Sequence, residues 1–331
     1  MNDYYNDLKK ILINNKDRIE ILEDFLKKYK IEDIKKQDKS YSKALLKSLS
    51  QKSLDKNAKV AVGGALGSYA DKASRLIFSD IIYFKRFTQI IDAIEKGDCK
   101  YGILPIENSS YGSVKEVYNL MLKRNFYILG SLKLDISHCL LGKNGAKISD
   151  IKEVYSHPQA LGQCKDYIEN HNFIEKEYYN TALSARLVKD MDDKSKAAIA
   201  SSLCGDLYGL EILDKNIQDE KNNYTRFIII GKDLEIFENA NKISLRLKAF
   251  DKPGSLFEII DKFKILGINM TKLESAPIPG SDFEFVFYFD FDGNIRDTNV
   301  RILIDYLKNK SKGFRFLGNY IDFFKLDKAK F

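Results

Sequence analysis

The chain has 331 residues, a formal net charge of +7 and 44% hydrophobic residues, which is enough apolar content for about two or three domains with buried cores. No apolar run approaches the roughly 20 residues that cross a bilayer. The start of the sequence is polar and acidic, unlike a signal peptide, so we expect a cytoplasmic protein. The four cysteines include no Cys-x-x-Cys pair, and with three histidines they argue against a structural zinc site. The lysines alternate with acidic residues, which is untypical of nucleic-acid-binding surfaces.

The first segment, residues 1–57, has the pattern of packed helices. Apolar residues recur at steps of four and three between Leu8 and Tyr29, which is typical of a helix that packs on another helix. A second helix is expected over residues 41–54. The segment therefore predicts a helical hairpin that serves packing or oligomerisation.

The next segment, residues 58–233, alternates short apolar runs with helical patterns. Val60-Ala61-Val62 predicts a buried strand, and Gly64-x-x-Gly67-Ser68 follows it before a helix. Backbone N–H groups at such a junction can bind an anion, although the glycines complete neither a dinucleotide fingerprint nor a P-loop. The pattern repeats three more times, and one of the helices has a capping box of Ser113 and Glu116. This alternation predicts a parallel, doubly wound α/β sheet whose ligands gather at the carboxyl ends of the strands.

Small polar residues mark the predicted ends of these strands. Each one could simply cap a helix, and His157 could equally be structural or functional. Taken together, they suit a small polyanionic substrate that is bound without a metal or a nucleotide. The residues are Ser68, Glu107, Asn108, Ser109, Ser156, His157, Thr181 and Thr225.

The motif Asn222-Asn223-Tyr224-Thr225-Arg226-Phe227 precedes three isoleucines that predict a buried strand. Thr225 and Arg226 could be an ordinary β-former and a surface charge. Alternatively, Thr225 donates or shares a proton, and Arg226 pairs with a substrate carboxylate through its planar fork. The pair by itself does not decide between these interpretations.

The last segment, residues 241–327, predicts the order β-α-β-β-α-β of a ferredoxin-like fold. It contains no candidate catalytic group, so we expect a role in binding or assembly.

These motifs together resemble prephenate dehydratase with a C-terminal ACT domain, a module that senses amino acids. The resemblance rests on the Gly64 loop, Leu104-Pro105-Ile106-Glu107-Asn108-Ser109, Ser156-His157-Pro158-Gln159-Ala160-Leu161, Asn180-Thr181-Ala182, the Thr225 motif, Lys252-Pro253-Gly254 and residues 267–275. It implies two α/β subdomains like those of periplasmic binding proteins, with the active site in the cleft between them. It also implies conversion of prephenate to phenylpyruvate in phenylalanine biosynthesis, without a cofactor or metal, and control by phenylalanine.

The resemblance also implies roles for individual residues. The catalytic set is Thr225, Arg226, Asn108, Ser109 and Thr181. The substrate-binding set is Ser68, Glu107, Ser156, His157, Gln159, Asn180 and Phe227. The effector-binding set is Gly254, Ser255, Leu256, Asn269, Glu274 and Ser275.

Some features depart from the family pattern and leave alternatives open. Ala276 stands where the family's effector motif has arginine. The N-terminal segment resembles a degenerate chorismate mutase remnant, and we expect no mutase activity because Arg18 is its sole arginine. Arogenate dehydratase and a non-catalytic amino-acid sensor are the alternative functions. ACT domains normally pair, so we expect a homodimer or homotetramer.

Overall fold

The computed structural model describes residues 41–50, 53–278, 280 and 284–323, and these divide into two compact units. The helices are α1 Tyr41–Leu46, α2 Tyr69–Arg75, α3 Phe87–Lys96, α4 Lys115–Lys123, α5 Pro158–Gly162, α6 Lys165–Asn170, α7 Thr181–Asp190, α8 Ser202–Tyr208, α9 Ser255–Ile265 and α10 Thr298–Asn309. The strands are β1 Leu49–Ser50, β2 Val60–Gly63, β3 Ile81–Phe84, β4 Tyr101–Asn108, β5 Gly112–Ser113, β6 Tyr127–Asp135, β7 Cys139–Gly142, β8 Glu153–Ser156, β9 Ile174–Glu177, β10 Lys196–Ala200, β11 Glu211–Lys215, β12 Tyr224–Gly231, β13 Ile236–Phe237, β14 Lys242–Lys248, β15 Met270–Pro277, β16 Phe285–Asp292 and β17 Lys312–Asp322. No helix among the described residues is long and apolar enough to cross a bilayer.

The unit that contains Asp55–Phe126 and Gly130–Lys232 has two sheets. In the first, the order is β6-β12-β4-β2-β3, with β5 paired to β4, and in the second it is β11-β7-β10-β8-β9. The predicted buried strand is confirmed, since Ile228, Ile229 and Ile230 on β12 are fully buried. Helices α2 and α3 pack on β2, and Val60, Ala61 and Val62 of this strand are fully buried, as the sequence pattern predicts.

The prediction of a parallel sheet is only partly right, because both sheets are mixed. Strands β2, β3 and β4 run parallel, but β12 pairs antiparallel with β4. In the second sheet, β8 is parallel to β9 and β10, whereas β7 is antiparallel to β10 and β11. The reason is that β12 follows the whole second sheet in the chain and returns to pair with a strand far earlier in sequence. Local alternation of strands and helices carries no information about that return.

One predicted helix cap is wrong. Ser113 does not cap α4, because it lies on β5 and pairs with Glu107 across the sheet. The residue at the cap position is Val114, which has no capping side chain. Because the backbone of Ser113 is extended and paired in the sheet, this residue is not at the N-cap position that a capping box requires.

The other unit, which includes Asp233–Asp322, has the predicted β-α-β-β-α-β order. Its strands are arranged β15-β16-β14-β17 and pair antiparallel, the ferredoxin-like arrangement. Leu245, Phe289 and Phe316 are buried in a core shared with Ile259 of α9 and Leu303 of α10. This agreement follows from long, strongly patterned segments with clear turn signals between them.

The predicted helix over residues 41–54 is shorter in the structure. Helix α1 ends at Leu46, and Leu49 begins a strand that pairs in parallel with Ile236. The Ile236 N–H donates to the Ser48 carbonyl at 2.9 Å, so tertiary pairing replaces the last helical turns. The predicted first helix, between Leu8 and Tyr29, lies outside the described residues.

Candidate active site

The glycine loop between β2 and α2 is held by a buried carboxylate. Asp71 is fully buried and accepts hydrogen bonds from Gly67 N at 2.8 Å, Arg75 Nε at 2.8 Å and Tyr83 OH at 2.7 Å. Ser68 caps α2, because its Oγ accepts from Asp71 N at 3.3 Å. The loop that carries Ser68 therefore has a fixed shape.

Asn108 ends strand β4 in a defined orientation. Its Oδ1 accepts hydrogen bonds from the backbone N–H groups of Ser110 and Tyr111, each at 3.0 Å. Only an oxygen can accept from two N–H donors, so the amide can face one way only. Its nitrogen must therefore point toward β12.

That nitrogen meets three acceptors at the start of β12. Asn108 Nδ2 lies 2.8 Å from Asn223 Oδ1, 3.0 Å from the Tyr224 carbonyl and 3.0 Å from Thr225 Oγ1. Asn108 and Thr225 are also direct partners across the antiparallel pair. Because Thr225 Oγ1 accepts from Asn108, its own proton is available to a different acceptor.

Ser109 fastens the chain just before Thr225. Its Oγ accepts from Tyr224 N at 2.8 Å and donates to the Asn222 carbonyl at 3.0 Å, and its backbone N–H donates to the Tyr224 carbonyl at 2.8 Å. These bonds use the one proton of the hydroxyl. Ser109 thus positions the Thr225 segment.

Arg226 and Glu107 form an ion pair on the same two strands. Arg226 Nε lies 3.4 Å from Glu107 Oε1, and the side chains are 13% and 33% exposed. The register shifts immediately after this pair. Phe227 is 2% exposed, so its ring belongs to the core of the sheet.

Most of the predicted site residues near the second sheet make side-chain hydrogen bonds to backbone groups. Ser156 Oγ is buried and donates to the Ile199 carbonyl at 2.6 Å. His157 Nδ1 accepts from Gln159 N at 3.2 Å, and burial lowers the pKa of His157 below its usual value. Asn180 caps α7 by accepting from Leu183 N at 2.8 Å, and Thr181 is the first residue of that helix.

Two cavities adjoin the Asn108 loop, with volumes of about 540 Å³ and about 490 Å³. The larger is lined by Ser109, Ser110, Tyr111, Gly162, Gln163, Gln218, Asp219, Glu220, Asn222 and Asn223. The smaller is lined by Asn108, Tyr111, Gly112, Ser113, Val114, Pro158 and Gln159. Among the predicted residues, the structure thus brings Asn108, Ser109 and Gln159 to the cavities. Thr225 does not line either cavity but is hydrogen-bonded to Asn108, which lines the smaller one. The other predicted residues do not line these two cavities.

Several cavity residues were not singled out from the sequence. Asn223 precedes Thr225 in the motif, and Tyr111 lines both cavities. A partly buried chain joins Tyr69 OH to His138 Nδ1 at 3.0 Å and His138 Nε2 to Gln163 Oε1 at 2.8 Å. The position of Asn223 beside Thr225 was a usable signal. His138 had none, although Tyr69 and Gln163, its two partners, lie in or next to family motifs of the sequence.

The predicted effector residues lie in the ferredoxin-like unit. Gly254 has a left-handed φ of 78° directly before α9, which begins with Ser255 and Leu256. Asn269 Nδ2 donates to Asp292 Oδ2 at 2.9 Å. The remaining two, Glu274 and Ser275, lie on β15, which is an edge strand of its sheet.

Comparisons with known proteins connect this site to one family. The prephenate dehydratase family profile matches residues 60–235, which span the glycine loop, Asn108 and the Thr225 motif. This chain belongs to the prephenate dehydratase family. A prephenate dehydratase from Methanocaldococcus jannaschii is 38% identical over 263 residues, covering 77% of this chain and 94% of the relative. Arogenate dehydratase 2 from Petunia hybrida is 32% identical over 280 residues, covering 79% of this chain and 71% of the relative.

Several similar proteins with solved structures share the fold of this chain. The prephenate dehydratase from Arthrobacter aurescens, crystallised with L-Phe, has a TM-score of 0.73 at 27% identity and covers 81% of this chain and 91% of its own. A protein described as a novel type of quorum quenching acylase, GqqA, has a TM-score of 0.72 at 29% identity and covers 80% and 97%. Proteins of this fold therefore carry more than one described activity, so the function must be argued from the site.

Proposed function

We propose that this protein is a prephenate dehydratase, a carbon–oxygen lyase that acts in L-phenylalanine biosynthesis. In the reaction, the ring carboxylate leaves as CO₂ and its bonding electrons enter the ring. The ring C–O bond breaks, and the departing oxygen takes up a proton and leaves as water. Aromatisation supplies the driving force, so the enzyme has to bind two carboxylates and assist the departing oxygen.

The observation that carries the proposal is the hydrogen bond from Asn108 Nδ2 to Thr225 Oγ1 at 3.0 Å. It keeps the Thr225 proton free for the departing oxygen of the substrate. A neutral hydroxyl is a weak acid, but its hydrogen bond strengthens as the leaving oxygen gains negative charge. Thr225 thus acts by stabilising charge that develops only in the transition state.

Arg226 is the proposed partner of a substrate carboxylate. Its side chain is 13% exposed, and its guanidinium already lies beside Glu107. A substrate carboxylate that approaches the guanidinium of Arg226 would compete with Glu107 for its hydrogen bonds. Ser68, Gln159, Asn180, Thr181, Ser156, His157 and Phe227 shape and support the site in this proposal.

We also propose that the ferredoxin-like unit is an ACT domain that senses phenylalanine. The similar prephenate dehydratase from Arthrobacter aurescens was crystallised with L-Phe, which supports this assignment. The proposed site contains Gly254, Ser255, Leu256, Asn269, Glu274 and Ser275 and forms between paired subunits of a cytoplasmic homodimer or homotetramer.

A second candidate substrate is arogenate, which carries an ammonium group where prephenate carries a ketone. Two carboxylates, Asp219 and Glu220, line the larger cavity, and these favour a cationic group. The arogenate dehydratase relatives support the same candidate.

The test is phenylpyruvate release from prephenate by the purified protein, with and without phenylalanine and in competition with arogenate. Turnover that phenylalanine suppresses supports both the enzyme and the sensing unit. Thr225→Val keeps the shape of the side chain and removes the hydroxyl, so turnover should collapse while prephenate still binds. Unchanged turnover in this variant would refute the role of Thr225.

A further inference from the structure

Asn223 lies directly before β12 and lines the larger cavity, yet one of its polar atoms has no partner in the part of the chain that the structure describes. The residue is 2% exposed. Its Oδ1 accepts from Asn108 Nδ2 at 2.8 Å. Its Nδ2 is buried and has no hydrogen-bond partner among the described residues.

The orientation of the Asn223 amide follows from its neighbour. Asn108 Oδ1 is fixed by the backbone N–H groups of Ser110 and Tyr111, so Asn108 presents its nitrogen to Asn223. A nitrogen donor requires the oxygen of Asn223 as its acceptor. The unpaired atom is therefore the amide nitrogen, whose N–H is not used by Asn108.

A second polar group without a partner lines the same cavity. Gln163 bonds His138 Nε2 at 2.8 Å through one end of its amide, and the nitrogen at the other end is buried and unpaired in the described chain. Whichever way this amide lies, one of its two ends has no hydrogen-bond partner within the described ranges. Buried polar groups normally find partners, and a cluster without them is a place where a ligand restores the missing bonds.

We propose that Asn223 is a substrate-binding residue whose Nδ2 donates a hydrogen bond to an acceptor oxygen of the substrate. This rests on the proposed function, since the acceptor is either a carboxylate oxygen or the keto oxygen of a 2-oxo acid. The same wall holds the Asp219 and Glu220 carboxylates, and Asp219 Oδ2 already accepts from Lys165 N at 3.0 Å. The N–H of Asn223 is thus a donor that suits an oxygen and not an ammonium group.

The experiment measures prephenate affinity without turnover, by calorimetry on Thr225→Val protein with and without Asn223→Asp. The aspartate keeps one oxygen for Asn108 and replaces the unpaired N–H donor by a second oxygen. We expect binding to weaken by about tenfold to a hundredfold, the usual loss for a hydrogen bond to a charged acceptor. Asn57→Asp, at an exposed asparagine, adds the same charge elsewhere and should leave the affinity unchanged.

The arms of the test separate the possible results. Equal loss for prephenate and arogenate assigns the carboxylate as the acceptor, and loss for prephenate alone assigns the keto oxygen. Unchanged affinity in Asn223→Asp, with an unchanged melting temperature, would overturn the proposal. If that variant unfolds, Asn223→Ala takes its place and must weaken binding likewise. Failure of the proposed function looks different, because Thr225→Val alone would then not bind prephenate and the unmodified protein would release no phenylpyruvate.

Discussion

Asn108 Nδ2 lies 3.0 Å from Thr225 Oγ1, and the same nitrogen lies 2.8 Å from Asn223 Oδ1. Two backbone N–H groups hold Asn108 in this orientation from the other side. The bond makes Thr225 Oγ1 an acceptor toward Asn108 and leaves the Thr225 hydroxyl proton for a different acceptor. The loop after β4 thus makes Asn108 Nδ2 the donor of the bond to Thr225 Oγ1.

The first prediction concerns a substitution that reverses the direction of the hydrogen bond between residues 108 and 225. Asn108→Asp places a carboxylate oxygen opposite Thr225 Oγ1, so the Thr225 hydroxyl donates to Asp and not to the substrate. We expect kcat for prephenate to fall by about a hundredfold or more, comparable to the loss of one transition-state hydrogen bond. Steady-state kinetics measures this, with Asn57→Asp as a control for the added charge. A kcat within about threefold of the unmodified protein would contradict the role of the Asn108–Thr225 bond.

The second prediction concerns the ion pair of Arg226 and Glu107. Arg226→Lys keeps the charge but loses the planar fork that binds a carboxylate through two hydrogen bonds. We expect KM for prephenate to rise by about tenfold, the loss of one charge-assisted hydrogen bond, with a smaller change in kcat. Glu107→Gln removes the competing carboxylate and should not raise KM. If Arg226→Lys leaves KM unchanged, Arg226 only supports the strand pair.

The third prediction is a pH dependence of stability that involves His138. His138 is 1% exposed, and burial lowers its pKa below the usual value of about 6.5. Between the folded and the unfolded pKa, the unfolded chain binds more protons, so the free energy of unfolding rises with pH. This contribution is fully present above about pH 6.5 and is lost as the pH falls through that window.

The measurement for this third prediction is denaturant unfolding at several pH values. The unmodified protein should lose more stability than His138→Gln between about pH 7 and about pH 5. His157 shifts in the same direction, so the variant should keep part of the dependence. His171→Gln, at an exposed histidine, is the control. Parallel curves for the unmodified protein and His138→Gln would contradict the prediction.

The fourth prediction separates backbone strain from steric conflict in the glycine loop. Gly67 has a φ of +87°, and a Cβ there would lie 2.9 Å from Cys204 Sγ. Gly97 has a similar φ of +85° but open space around it. Both alanine variants incur the left-handed backbone cost of about 1–2 kcal/mol. Gly67→Ala adds overpacking of about 1–3 kcal/mol, so its free energy of unfolding should fall further. Equal losses of unfolding free energy in the two variants would mean that the Cys204 side chain moves aside without a cost in stability.

The sequence by itself determined the features that depend on local pattern. It placed Thr225 at the start of a strand, because the three isoleucines that follow predict a strand buried on both faces, and these isoleucines are fully buried in the structure. It also identified the ferredoxin-like order, because its strands and helices are long and separated by clear turns. The family motif pointed to Asn108 and Thr225 as members of one site.

Only the tertiary structure decided how those residues act on one another. Asn108 and Thr225 are 117 positions apart, and their hydrogen bond exists because β12 returns antiparallel beside β4. The same return leaves the Asn223 nitrogen buried without a partner in the described part of the chain. It was Leu49 pairing with Ile236 that ended the predicted helix early. In each case the deciding contact joins distant segments, and no local periodicity carries the position of a distant strand.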